Sequence, residues 1–106
     1  METNQKIPTN IHLSVRRWRD RVMGNSYFSA RVYADGVEVA RLPFQYGYGS
    51  HPGSVAVIAA REAGILPDGR ECYLASACRE LGIRYTENDV GALKREVMAH
   101  GKKGGA

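Results

Sequence analysis

Asp35-Gly36, placed between two runs rich in β-branched and aromatic residues, constrains this chain more than any other feature. A two-residue type I′ turn needs positive φ at both central positions, and Asp-Gly is one of the few dipeptides that accept it. Tyr27–Ala34 and Val37–Phe44 are therefore expected to form an antiparallel hairpin. Upstream, Ile11, Leu13 and Val15 alternate with polar neighbours at the period of a strand, and the extended character runs on to Val22. The apolar parity changes along it, because Ile11, Leu13 and Val15 are odd whereas Trp18 and Val22 are even. Either a bulge lies near Arg16-Arg17 or the two halves face different layers. With Met23–Ser26 as the turn, the three strands make an antiparallel meander. Pro43 cannot donate to a ladder, so the third strand lies at an edge or ends there.

The second half of the chain reads as helical. Ser54 is a suitable N-cap for a helix through Ala63, with Gly64 closing it. Leu74, Ala75, Cys78 and Leu81 repeat at helical spacing and Gly82 provides a left-handed stop, which gives a helix of about eleven residues. Ile83–Glu87 is available as a short fourth strand, and Thr86 or Asn88 as the cap of a last helix with Val90, Leu93, Val97 and Met98 as its buried stripe. A chain of 106 residues has room for one core. The expected fold is therefore a single α+β domain over residues 1–101. It has a three-stranded antiparallel sheet, or four-stranded with Ile83–Glu87, followed by two to three helices packed on one face. Residues 102–106 are expected to be a disordered tail.

Composition narrows the function classes. Nothing after Met1–Lys6 resembles a signal-peptide core, and no run approaches the roughly 18 apolar residues of a membrane span. A soluble, unprocessed cytoplasmic protein with no membrane partner is expected. Cys72 and Cys78 read as small core residues on one helix, unable to pair with each other, in a reducing compartment. His12, His51 and His100 are scattered, and neither His nor Cys recurs at metal-ligand spacing, so no metal and no cofactor is expected. Ser50, His51 and Asp20 have the residue types of a hydrolytic triad and nothing more, so no enzyme is expected.

Lys and Arg number 15 against 11 Asp and Glu, a formal charge of +4. Such a balance suits a polyanionic partner where the cations gather on one face. A four-residue connection after Val22 would set Arg21 opposite Phe28, Arg19 opposite Ala30 and Arg17 opposite Val32, with Arg41 opposite Ala30 from the other side, so that these four arginines share one sheet face. Trp18, Val22, Tyr27, Tyr33, Leu42 and Phe44 would then form the core face. Arginines with tyrosines available for stacking are the parts of single-strand binders. The candidate residues for nucleic acid or another partner are Arg16, Arg17, Trp18, Arg19, Arg21, Tyr27, Arg31, Tyr33 and Arg41. The plainer alternative is a set of ordinary solvent-facing arginines, and a slip of one residue in register would exchange the faces.

The loop ahead of the first helix is a second candidate. Tyr46, Gly47, Tyr48, Gly49, Ser50, His51, Gly53 and Ser54 lead into a helix N-terminus, where freed N–H groups can hold an anion such as a small phosphorylated ligand. The loop lacks the Lys-Ser/Thr pair of a P-loop and the G-x-G-x-x-G spacing of a dinucleotide fold. The structural alternative is a sharp turn from strand to helix, pinned by Phe44, Tyr46 and Tyr48.

The run Arg17-Trp18, the segment Gly24-Asn25-Ser26-Tyr27-Phe28-Ser29-Ala30-Arg31-Val32-Tyr33-Ala34-Asp35-Gly36 and Pro43-Phe44-Gln45-Tyr46-Gly47-Tyr48-Gly49 carry a further signal. Together they resemble a family of small proteins encoded by tailed bacteriophages and prophages, with a GN-[ST]-Y-x-S-x-R-V-Y-x-[DN]-G hairpin and a PF-x-YGYG motif. The likeness spans Ile7 to Gly49 and departs from the family at Arg19, where members carry Phe or Lys. It implies a phage or mobile-element accessory protein acting inside a bacterium. The resemblance implies origin rather than mechanism; combined with the basic balance it leads to nucleic acid as the partner, with a host protein or nucleoprotein complex, held in the manner of an anti-CRISPR inhibitor, as the alternative. Arg, Tyr and Trp serve both kinds of interface, so both partners stay open.

Overall fold

The computed structural model describes residues 7–102. The hairpin forms as its turn dictates. Strands β2 (Asn25–Ala34) and β3 (Val37–Tyr46) flank Asp35 at φ 50° and Gly36 at φ 84°. Asp35 also anchors the start of β1 (Asn10–Asp20), because its carboxylate accepts hydrogen bonds from the N–H groups of Thr9 and Asn10, each at 3.0 Å. β1 pairs antiparallel with β2 from Ile11 opposite Ala34 to Asp20 opposite Asn25. The turn between them is Arg21–Gly24 rather than Met23–Ser26. The Asp20 carboxylate stabilises it by accepting from the N–H groups of Val22 and Met23. Phe28 consequently faces Arg17, not Arg21.

The antiparallel meander is only three-quarters of the sheet. β4 (Arg84–Gly91) runs further than Ile83–Glu87 and lies parallel to β1, so the sheet is mixed, with order β3-β2-β1-β4. A parallel neighbour needs a long crossover. Helices α1 (His51–Glu62) and α2 (Leu74–Leu81) supply it. α1 starts before Ser54, because Pro52 has the fixed φ that suits a first turn and Tyr48 O accepts from His51 N at 2.9 Å. α2 has eight residues and stops at Gly82, φ 73°, with Ile83 N–H bonded to Cys78 O at 2.8 Å, the expected left-handed closure.

The helices do not share one face. α1 and α2 cover the side on which Ile11, Leu13 and Val15 of β1 meet Phe28, Ala30 and Val32 of β2. Ala56, Val57 and Leu74 close over them, and all nine are essentially inaccessible. At roughly 1.5–3 kcal/mol for each large side chain buried, this layer supplies most of the hydrophobic stabilisation. The last helix, α3 (Lys94–Gly101), packs on the opposite side. Its first turn is held by Glu96, whose carboxylate accepts from Leu93 N–H at 2.9 Å, so neither Thr86 nor Asn88 caps it. Val90 belongs to β4. Of the expected stripe only Val97 is buried, while Leu93 and Met98 are half-exposed.

With a helix layer on each side, the parity change in β1 is explained without a bulge. The strand is continuous, its odd residues facing α1 and α2 and its even residues facing α3. Cys78 is buried in α2, where burial pushes its thiol up to about 11. Cys72 is exposed ahead of that helix, a correction to its expected place in the core, and both thiols are free. Of the expected tail, Lys102 is exposed at the end of α3 and residues 103–106 lie outside the described residues. No described helix is long and apolar enough to cross a membrane.

Candidate nucleic-acid interface

The arginines expected on one face are divided between two faces and a turn. Arg17 and Arg19 stand on the odd side of β1, and Arg21 lies in the β1–β2 turn. Arg41 sits opposite Arg31, not Ala30. The reason is a bulge: Tyr33 pairs with Glu38 but Val32 with Ala40, so Val39 is extra and Ala40 to Leu42 change side, until a second register shift between Leu42 and Gln45 reverses the change. Several of these guanidiniums are committed within the fold. Arg31 Nε donates to His100 O at 3.0 Å. Arg41 forms a fork with Glu38, both bonds at 2.6 Å, and also donates to Lys102 O. The Arg41 bond holds the Glu38 carboxyl below its usual range.

Arg17 is a strut. Its guanidinium donates to both oxygens of Asp89 at 2.7 Å and to Gly49 O, tying β1, β4 and the glycine loop together. Arg17→Gln is expected to cost about 1–2 kcal/mol, since Asp89 loses a charged two-point partner. Arg17→Lys should recover little of it, because an ammonium lacks the fork. Thermal melting of the two variants checks both statements, and a lysine variant matching the parent would refute the second.

The expected core face also rearranges. Leu42 is buried on the α1 side opposite Ala30, and Val22 is 90% exposed at the turn tip. Tyr33 is half-buried beside His12, ring centroids 6.2 Å apart. Trp18, Tyr27 and Phe44 do come together on the α3 face, one from each of three adjacent strands. Centroid separations are 5.6 Å for Trp18–Tyr27, 5.2 Å for Tyr27–Phe44 and 6.5 Å for Trp18–Phe44. Those lengths close a triangle, so the rings form a cluster rather than a row. Tyr46 meets Tyr27 edge-on at 5.8 Å and Tyr48 meets Tyr46 at 5.2 Å. These two outer tyrosines are about half-exposed.

α3 stops short of covering this cluster. Its first residue, Lys94, places Nζ 5.2 Å from the Trp18 ring centroid, a cation–π contact. Arg16 on the same face, Arg21 in the adjoining turn and Arg95 on α3 have no side-chain hydrogen-bond or ion-pair partner among the described residues, and Arg19, equally without one, is exposed on the opposite face. The nearby acids are occupied: Asp20 in the turn, Asp89 on Arg17 and Glu96 on Leu93. The end of the sheet therefore carries aromatic surface and uncompensated positive charge.

The glycine loop serves packing. Gly47 is buried, and a Cβ there would lie 2.7 Å from Phe28 Cε1, which has no room to move. The N–H groups at the start of α1 are used locally, with Gly53 and Ser54 both donating to Ser50 O and Pro52 having none to offer. Gly49, Ser50 and Gly53 do border a pocket of about 260 Å³ with Arg17, Tyr73 and Glu87. Its one guanidinium is bound to Asp89 and it contains a carboxylate, which is poor chemistry for an anion. Tyr46, Tyr48 and His51 stand outside it, and Ser54 borders a different surface pocket.

No family model, no curated protein and no solved structure matches this chain. Among the described residues no group of three or more His, Cys, Asp or Glu is placed to hold a metal ion. Geometry singles out the aromatic cluster and its basic rim, and several of their members are absent from the sequence-derived set. Lys94 and Arg95 belong to the site only because β4 runs parallel to β1 and returns α3 across the second face. No sequence signal marked them: Lys94 and Arg95 stand between Leu93 and Val97 of an expected buried stripe.

Proposed function

We propose that this chain is a non-enzymatic binding protein for single-stranded nucleic acid. Bases stack at Trp18, Tyr27, Phe44, Tyr46 and Tyr48, and Arg16, Arg21 and Lys94 neutralise phosphates. The observation that carries the reading is the partly buried aromatic cluster, assembled across three strands, continued by the half-exposed Tyr46 and Tyr48 and rimmed by cations with no ion-pair partner among the described residues. Aromatic side chains on a sheet, with basic residues tracking a backbone, suit unpaired bases rather than a duplex whose bases are stacked inward. The likeness to tailed-phage proteins supports an accessory role inside a bacterial cell.

Fluorescence anisotropy with short single- and double-stranded DNA and RNA across a salt series tests this. Single strands should bind more tightly, and affinity should fall steeply with salt as counterion release requires. The double substitution Arg21→Glu with Lys94→Glu should weaken binding at least about ten-fold with an unchanged melting temperature, because exposed cations contribute little to stability. Absence of binding at low salt would refute the reading.

One feature favours a second reading, an inhibitor that docks on a host protein or nucleoprotein complex. Val22 and Met23 are 90% and 69% exposed at the hairpin tip beside Arg21. An apolar tip flanked by arginine is a usual anchor for a protein pocket. Retained pull-down of a host complex after loss of oligonucleotide binding would select this alternative.

A further inference from the structure

α3 also leaves a gap on its other side, against the edge strand. Between it and β3 runs a groove of about 640 Å³, within the size range of ligand sites. Pro43 and Phe44 form the strand wall, and Arg95, Met98, Ala99 and Lys102 the helix wall. Three properties together define what fits there. The walls are apolar and aromatic, with Phe44 on one side and a half-exposed Met98 on the other. The charged lining residues are Arg95 and Lys102, both cationic and both exposed, and among the described residues no carboxylate lines the groove. Phe44 is shared, since the ring lying within 6° of parallel to Tyr27 is also a wall of the groove, which therefore continues the aromatic face.

A flat apolar body carrying negative charge satisfies all three conditions. An apolar peptide would leave Arg95 and Lys102 uncompensated, and an acidic one would leave Phe44 and Met98 uncovered. Resting on the nucleic-acid reading of the aromatic face, we infer that the groove between β3 and α3 is a base pocket for single-stranded nucleic acid. One base packs against Phe44 and Met98 while Arg95 and Lys102 neutralise the adjoining phosphates. The contacts are to ring faces and phosphates and not to base edges, so the pocket tolerates any base.

The test is fluorescence anisotropy of labelled oligothymidylates of increasing length at low salt, with the parent, Met98→Glu and Met98→Leu. Affinity of the parent should rise until the oligonucleotide spans both the cluster and the groove. Met98→Glu places a carboxylate on the groove wall at an exposed position that folding tolerates. It should level off at shorter lengths and bind the longest oligonucleotide at least about ten-fold more weakly, with the shortest unaffected. Met98→Leu should follow the parent. Identical length profiles for Met98→Glu and the parent would overturn the base pocket and leave the aromatic-face reading standing. Failure of the parent to bind any oligonucleotide would defeat both. Dimerisation of the parent without oligonucleotide, abolished by Met98→Glu, would assign the groove to a second copy of the chain and overturn the proposal.

Discussion

Gly101→Ala is expected to lower the stability of the domain by about 2–3 kcal/mol, the cost of forcing one methyl group into a fully packed contact. On propensity alone the substitution should help, because alanine is worth about 1 kcal/mol over glycine in a helix. Sterics reverse the sign. A Cβ at Gly101 would stand 2.7 Å from Ser29 Cβ, 2.8 Å from Leu42 O and 2.9 Å from Phe44 N. Two of those atoms belong to strand backbones and cannot swing aside, so α3 itself must lift. Lifting it strains the Arg31 bond to His100 O and the Ser29 bond to Val97 O, at 3.0 and 2.6 Å. For a domain of this size the loss corresponds to a fall in melting temperature of about 10 °C or more. Hydrogen exchange should show α3 loosened first. An alanine variant as stable as the parent would mean that the helix does not sit this close to the sheet.

The same contact shows what the sequence could and could not disclose. Asp35-Gly36 set the hairpin because the turn is local, and Gly82 ended α2 for the same reason. The side on which Arg41 emerges depends on one extra residue, Val39, whose bulge has no local signature in a run of alternating apolar residues. The placement of Trp18 and Tyr27 on one face followed from strand parity, whereas Phe44 joins them across two offsetting register shifts in β3. That they form a half-open cluster and not the main core did not follow from parity, because both sheet faces carry enough apolar residues to serve as the inside. Ile11, Leu13 and Val15 decided the matter by being smaller and more regular against the alanines of α1. The parallel alignment of β4 was illegible for a different reason. It is fixed by long-range pairing with β1 and by the Arg17–Asp89 fork, neither of which leaves a pattern within Arg84–Gly91.

The second large effect is a loss of stability on mild acidification, through His100. The ring is 8% exposed between α3 and the sheet. Ser29 Oγ donates to Val97 O, so it accepts from His100 Nδ1–H at 3.1 Å, which leaves Nε2 as the bare nitrogen facing Ser14 Oγ at 3.5 Å. A neutral ring suits this arrangement and an imidazolium does not. Burial, followed by the nearby charges of Arg31, Arg16 and Arg41 and only partly offset by Glu38, pushes the histidine down to about 4. In the unfolded chain the group titrates near 6.5. Between those values the unfolded state binds more protons than the native state, so this contribution to stability is complete above about pH 6.5 and is lost as pH falls toward 4. Between pH 7 and 5, above the range of ordinary carboxylates, the loss should be about 2 kcal/mol, or roughly 10 °C in melting temperature. His100→Gln keeps a side chain able to bond Ser29 but cannot titrate. It should be less stable at neutral pH yet flat across that interval. A variant that retains the slope of the parent would place the acid-sensitive group elsewhere, whereas a flat profile would identify His100 as the group whose protonation works against the docking of α3.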